Sequence, residues 1–252
     1  MAVASLLVYG CATYPVSVEV EPPPAERPAE PRGHISMRAG RPGVVVAAPH
    51  GTCDPRTGEI ASEIARRTGF GLVVATGFTL ETAADGRPLL RYHVNRPTEG
   101  KPGTGPSEDR ATPAARRVYE TYERHVQQAS GGALRFYVEI HGNGRTENAT
   151  RIEIATVGVD AAHAVQLRTL FELTRDAHLR GHREAPRLSV LVEPADPVFY
   201  GASGTKREGI LRLPERALHI ELPRAARREF RDVYTTILAE FLADALALRP
   251  LK

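Results

Sequence analysis

Cysteine is scarce in this 252-residue chain: Cys11 and Cys53 are the only two. One lies in an apolar leader and the other beside a histidine-bearing turn, so no disulfide between them is expected. No run of about 18 apolar residues occurs, which leaves no candidate for a membrane-spanning helix. Lysine is rare beside arginine, and no dense basic run carries interleaved aromatics. With a formal net charge of only +3, nucleic acid is therefore not an expected partner. A Gly-x-Ser-x-Gly elbow is missing, which counts against a serine esterase, and no internal repeat is visible. What remains is ordinary for a globular domain, with 42% hydrophobic and 25% charged residues and length enough for one sizeable core.

The N-terminus departs from that composition. Residues 1–12 are apolar and too short to span a bilayer, and Gly10 followed by Cys11 resembles the end of a bacterial lipoprotein signal. The expectation is a lipid anchor at Cys11 and export to the periplasm or cell envelope; a plain apolar leader would leave the protein cytoplasmic. Residues 13–40 include EVEPPPAERPAEPRG, a Pro/Glu-rich stretch read as an extended linker. The remaining 41–252 are read as one catalytic domain.

Within that domain strands and helices alternate. VVVAA from Val44, GLVVATGF, RFYVEIHG, RIEIATVG, LSVLVE and ALHIEL read as strands. GEIASEIARRTG, the segment from Pro113 to Gly131, residues 160–181 and a long C-terminal run from Ala225 read as amphipathic helices. RYHVNRP is expected to be a short extended piece, Thr98 to Thr112 a mobile loop near the site, and YGASGTKREGI a loop. This alternation predicts an α/β fold with a mixed, mostly parallel sheet and helices on both faces.

Three strands end in chemistry. VVVAAPHGTCD delivers His50 at the end of an apolar run, with Asp54 four residues on and Glu59 as the second choice of carboxylate. In RFYVEIHG, Phe136, Val138 and Ile140 share one parity, and His141 ends the run ahead of Gly-Asn-Gly. Two imidazoles and a carboxylate are a zinc-competent set that keeps a fourth position open for water. ALHIEL embeds Glu221 between Ile220 and Leu222, where a carboxylate is depleted unless it is used. It is the candidate general acid and base, unless Arg224 or Arg227 pairs with it structurally. His219 shares its parity and is a candidate for a supporting position. Asn95-Arg96 offers a fork for a substrate carboxylate, and Arg145 is an alternative anion anchor.

Taken together, PHGTCD followed by TGEIASEIA, then HVNRPTEG, VEIHGNG and HIELP resemble the N-formylglutamate amidohydrolase-like and zinc-carboxypeptidase-like hydrolases, with the phage poly-γ-glutamate hydrolases as a related group. The resemblance spans about Val44 to Arg231. It implies a three-layer α/β/α sandwich of phosphorylase/hydrolase type. It also implies one zinc ion held by His50, Asp54 and His141, with Glu221 activating water and Asn95 and Arg96 gripping a substrate carboxylate. One departure stands out: carboxypeptidases place His-x-x-Glu where this chain has His-x-x-x-Asp. The implied activity is hydrolysis of an amide near a free carboxylate, as in N-acyl-glutamate or γ-glutamyl substrates. The alternative is an envelope-anchored peptide- or glycan-binding module that has lost catalysis.

Overall fold

Strand parity sorts the core. The computed structural model describes residues 33–248; the segment 1–12, Cys11 and most of the 13–40 stretch lie outside them. In chain order the elements are β1 (His34–Arg38), β2 (Val44–Ala48), α1 (Thr57–Thr68), β3 (Gly71–Thr76), β4 (Thr79–Thr82), β5 (Pro88–Tyr92) and β6 (Glu99–Gly100). There follow α2 (Pro113–Ser130), β7 (Phe136–Gly142), β8 (Arg151–Val157), α3 (Ala161–Leu179), β9 (Ser189–Val192), α4 (Ser203–Glu208), β10 (Arg216–Leu222), α5 (Arg224–Arg227) and α6 (Arg231–Ala247).

Seven strands form one mixed sheet in the order β1-β3-β2-β7-β10-β8-β9. β3, β2, β7 and β10 run parallel, β1 is antiparallel to β3, and β8 is antiparallel to β10. The strands β4, β5 and β6 make a separate small sheet. Even-numbered residues Val44, Val46, Phe136, Val138, Ile140, Leu218, Ile220 and Leu222 face a core shared with α1, α3 and α6. Odd-numbered Val45, Ala47, Tyr137 and Ala217 face a second core built with α2. The expected α/β fold with helices on both faces is therefore present.

Local signals set most of the boundaries. Thr112 caps α2 by accepting a hydrogen bond from the Ala115 amide, with Pro113 at the first turn. Gly69 ends α1 in the left-handed conformation (φ 73°) that glycine adopts at low cost.

Four expectations need correction. Residues 34–38, inside the stretch read as linker, pair with β3 as an edge strand. The YGASGTKREGI segment holds α4 instead of being all loop. The C-terminal helical run breaks at Arg228–Phe230 into α5 and α6. Finally, RYHVNRP stays extended only through Tyr92; Val94 turns the chain at φ 55°, a conformation a β-branched residue rarely adopts.

The chain passes from β2 through α1 on one face to β3, then through α2 on the other face to β7 on the far side of β2. In an open α/β sheet such a switch point opens a crevice at the carboxyl ends of the strands.

Candidate metal centre

Beyond the end of α2, the odd-numbered face of β7 and β10 turns from apolar to polar. Parallel register puts His219 beside Glu139 and Glu221 beside His141, and antiparallel register puts Glu153 of β8 beside Glu221. His50 and Asp54 arrive in the turns after β2. These residues line, or lie just beneath, a cleft of about 690 Å³ at the switch point.

The imidazole tautomers follow from fixed acceptors. His50 Nε2 lies 3.0 Å from the carbonyl oxygen of His93, so that nitrogen donates and Nδ1 keeps its lone pair. His141 Nε2 lies 3.1 Å from Glu139 Oε2, which leaves Nδ1 as the nitrogen turned toward Asp54. Both Nδ1 atoms stand 3.5 Å from the same oxygen, Asp54 Oδ2. Two ligand atoms each about 2.0–2.1 Å from a tetrahedral zinc are ~3.4 Å apart, so the donor set fits this ion. The three donor atoms all lie within 4.8 Å of one another. Glu59 is elsewhere: it pairs with Arg56 and Arg231 on the surface.

The electrostatics suit a cation. Burial, helped by Arg91, lowers His50 to about 3, so its ring is neutral. Burial opposes a charge on His141 as well, but Asp54 and Glu139 flank its two nitrogens and push it up to about 10, so a bound cation would take the place of its Nδ1 proton. Burial also works against ionised Asp54, yet the neighbouring imidazoles of His141 and His50 hold its carboxyl well below the usual range. Two carboxylates, Glu139 buried and Asp54 partly so, thus favour positive charge at the point they flank.

Glu139 is the residue that sequence reasoning missed. It is 0% exposed and accepts from Asn95 Nδ2, Tyr137 Oη, His141 Nε2 and His219 Nδ1. Those bonds outweigh burial and hold it ionised. Glu139, His141 and His219 also cluster closely enough to ligate an ion. Their polar atoms are already joined in hydrogen bonds, so the group reads as support for the site. The depletion argument applied to Glu221, a carboxylate inside an apolar strand, applies equally to Glu139 in FYVEIHG. His219 completes the chain, with Nε2 at 3.2 Å from Glu221 Oε1. Neither arginine considered beside Glu221 binds it: Arg224 pairs with Glu229, and Arg227 donates to backbone carbonyls.

The expected anion-binding residues divide. Asn95 and Arg96 line the cleft but spend donors internally, Asn95 on Glu139 and Arg96 on Asp109 at 2.9 Å. Asp109 also takes His93 Nε2 at 2.9 Å and so ties down the base of the 98–112 loop, whose residues Pro102 to Gly105 reach the cleft. Arg145 is half exposed at the mouth, 4.3 Å from the Phe199 ring. Arg91, which sequence reasoning passed over, is 9% exposed, lines the cleft, and has Nε and Nη1 without a hydrogen-bond partner among the described residues. A buried guanidinium lacking partners is costly unless something binds it; nothing local in PLLRY signals this. Opposite, Glu153 accepts the amides of Phe199 and Tyr200, fixing the cleft wall. Burial and nearby Glu221 push the Tyr200 hydroxyl up to about 12, so it is a neutral donor.

No family model matches the chain, and no curated protein does. Among solved structures, a bacteriophage poly-γ-glutamate hydrolase is similar at 13% identity over 88% of this chain and 91% of its own, with a TM-score of 0.47. The zinc-free apo form of YndL is similar at 13% identity over 86% and 92%, TM-score 0.47. A gene product of Agrobacterium tumefaciens is similar at 15% identity over 86% and 94%, TM-score 0.44. These are likenesses of outline. The chemistry of the cleft rests on this chain's own residues.

Proposed function

We propose that the protein is a zinc-dependent hydrolase that cleaves an amide bond near a free carboxylate, of N-acyl-glutamate or γ-glutamyl type. The observation that carries the reading is the trio His50 Nδ1, Asp54 Oδ2 and His141 Nδ1, each imidazole nitrogen 3.5 Å from the shared carboxylate oxygen and both rings held in place by fixed partners. When bound, zinc supplies Lewis acidity to the scissile carbonyl and lowers the pKa of a water.

The protein's own groups do the rest. Glu221 takes the proton of the attacking water and passes it to the leaving amine nitrogen. His219, bonded to both Glu139 and Glu221, orients that carboxylate. Arg91 receives the substrate's carboxylate inside the cleft and Arg145 receives charge at its mouth; Arg96 contributes less because Asp109 occupies its fork. Tyr200 offers a neutral hydroxyl to the bound substrate.

The test is to measure bound zinc together with hydrolysis of N-acyl-glutamates and γ-glutamyl peptides; a zinc-loaded chain that turns over neither contradicts the reading. Two variants sharpen it. Asp54→Ala is expected to lose tight zinc binding while Glu59→Ala keeps it, and the reverse pattern in a chelator competition would move the acidic ligand to Glu59. Arg91→Ala is expected to raise KM about 10–100-fold, the worth of a charged hydrogen bond of ~1.5–3 kcal/mol, with zinc content unchanged. An unchanged KM would remove Arg91 from the substrate site.

A further inference from the structure

The residues of the candidate centre sit in or just past the carboxyl ends of three strands, β2, β7 and β10, and one side chain touches the chain at all three ends. Arg227, on the short helix α5, is 6% exposed. Its Nη1 donates to Pro55 O at 2.9 Å, its Nη2 to Asn143 O at 3.1 Å and its Nε to Leu222 O at 3.0 Å. Pro55 directly follows Asp54, Asn143 comes two residues after His141, and Leu222 directly follows Glu221.

We infer that Arg227 is a positioning residue that fixes the spacing of these three segments and thereby sets the metal affinity of the cleft. This rests on reading His50, Asp54 and His141 as a metal site. Three carbonyls in three directions match the planar fork of a guanidinium, and a lysine ammonium, one point charge on a flexible stem, cannot reproduce it. Gly142 supplies independent support. A Cβ added there would lie 2.5 Å from Arg227 Cζ, 2.6 Å from Nε and 2.8 Å from Nη1. The guanidinium therefore lies directly against the backbone beside His141, and any larger residue at 142 would have to push it off its carbonyls. Shifts of a few tenths of an ångström at His141 or Asp54 matter because the donor atoms are already at ligand spacing.

The experiment uses the full chain with zinc as the probe, titrated in competition with a chromophoric chelator. Arg227→Lys and Gly142→Ala are each expected to weaken zinc binding about 10–100-fold, as loss of an orienting partner does. The double variant is expected to be no weaker than the worse single one, because both break the same clamp. Phe171→Leu, in the core on the opposite sheet face, is the control: it lowers the melting temperature and leaves zinc affinity unchanged. If Arg227→Lys does not fold, Gly142→Ala carries the test. Wild-type affinity in folded Arg227→Lys or Gly142→Ala, or equal weakening in Phe171→Leu, overturns the inference. A wild-type chain that takes up no zinc overturns both this inference and the metal reading, and the wild-type titration alone separates that case.

Discussion

His141→Ala is expected to fold and to lose zinc affinity by roughly 100-fold or more, with hydrolysis falling as occupancy falls. The size follows from dividing a zinc-site free energy of about 10–16 kcal/mol among about four ligands, ~3 kcal/mol each. His141 loses more than one contact when truncated. Its Nδ1 faces Asp54, its Nε2 holds Glu139, and its ring lies 4.0 Å from that of His219. Removal leaves Glu139 with Asn95, Tyr137 and His219 as partners, so the sheet keeps a hydrogen-bonded carboxylate. Circular dichroism close to wild type, with zinc absent after dialysis, is the expected pair of results. Full zinc occupancy in folded His141→Ala would mean that the ion binds elsewhere.

Glu221→Gln separates chemistry from metal binding. The amide keeps the size of the carboxylate and its place beside His141 on β10, but cannot accept the proton of water at neutral pH. Zinc affinity is expected to stay within a few-fold of wild type while kcat falls by about 10²–10⁴, the range a general acid-base group supplies. A structural carboxylate would behave differently: its amide would leave kcat almost untouched and lower the melting temperature instead. Measuring kcat, zinc content and melting temperature on the same preparation distinguishes the two.

Much of the sheet was legible because period-two alternation is a local signal. In FYVEIHG the apolar set at 136, 138 and 140 points to one face, so the odd set, Glu139 and His141 among them, must face the other. The same parity exposed Glu221 and His219. Less legible were features whose cause is distant in sequence. Glu139 is saturated by donors 44 and 80 residues away, at Asn95 and His219. Arg96 looks free in NRP, and its partner Asp109 lies across a loop. Arg91 matters because, among the described residues, nothing pairs with its buried Nε and Nη1, a property no local pattern reports. The break between α5 and α6 falls in a run whose apolar spacing continues unbroken; there the backbone of Arg228 leaves helical geometry (φ −124°, ψ −83°), just after Arg227 turns its side chain inward. β1 was hidden for another reason, since its edge position leaves it mostly exposed and it follows a Pro/Glu-rich stretch.

The turns after β2 and the end of β7 are proposed to form one metal site. Crystals of the zinc-loaded protein, measured on both sides of the zinc absorption edge, test it most directly. One anomalous peak per chain is expected, about 2.0–2.2 Å from His50 Nδ1, His141 Nδ1 and an Asp54 carboxylate oxygen. A peak bound through other residues, or none in this cleft, would contradict it.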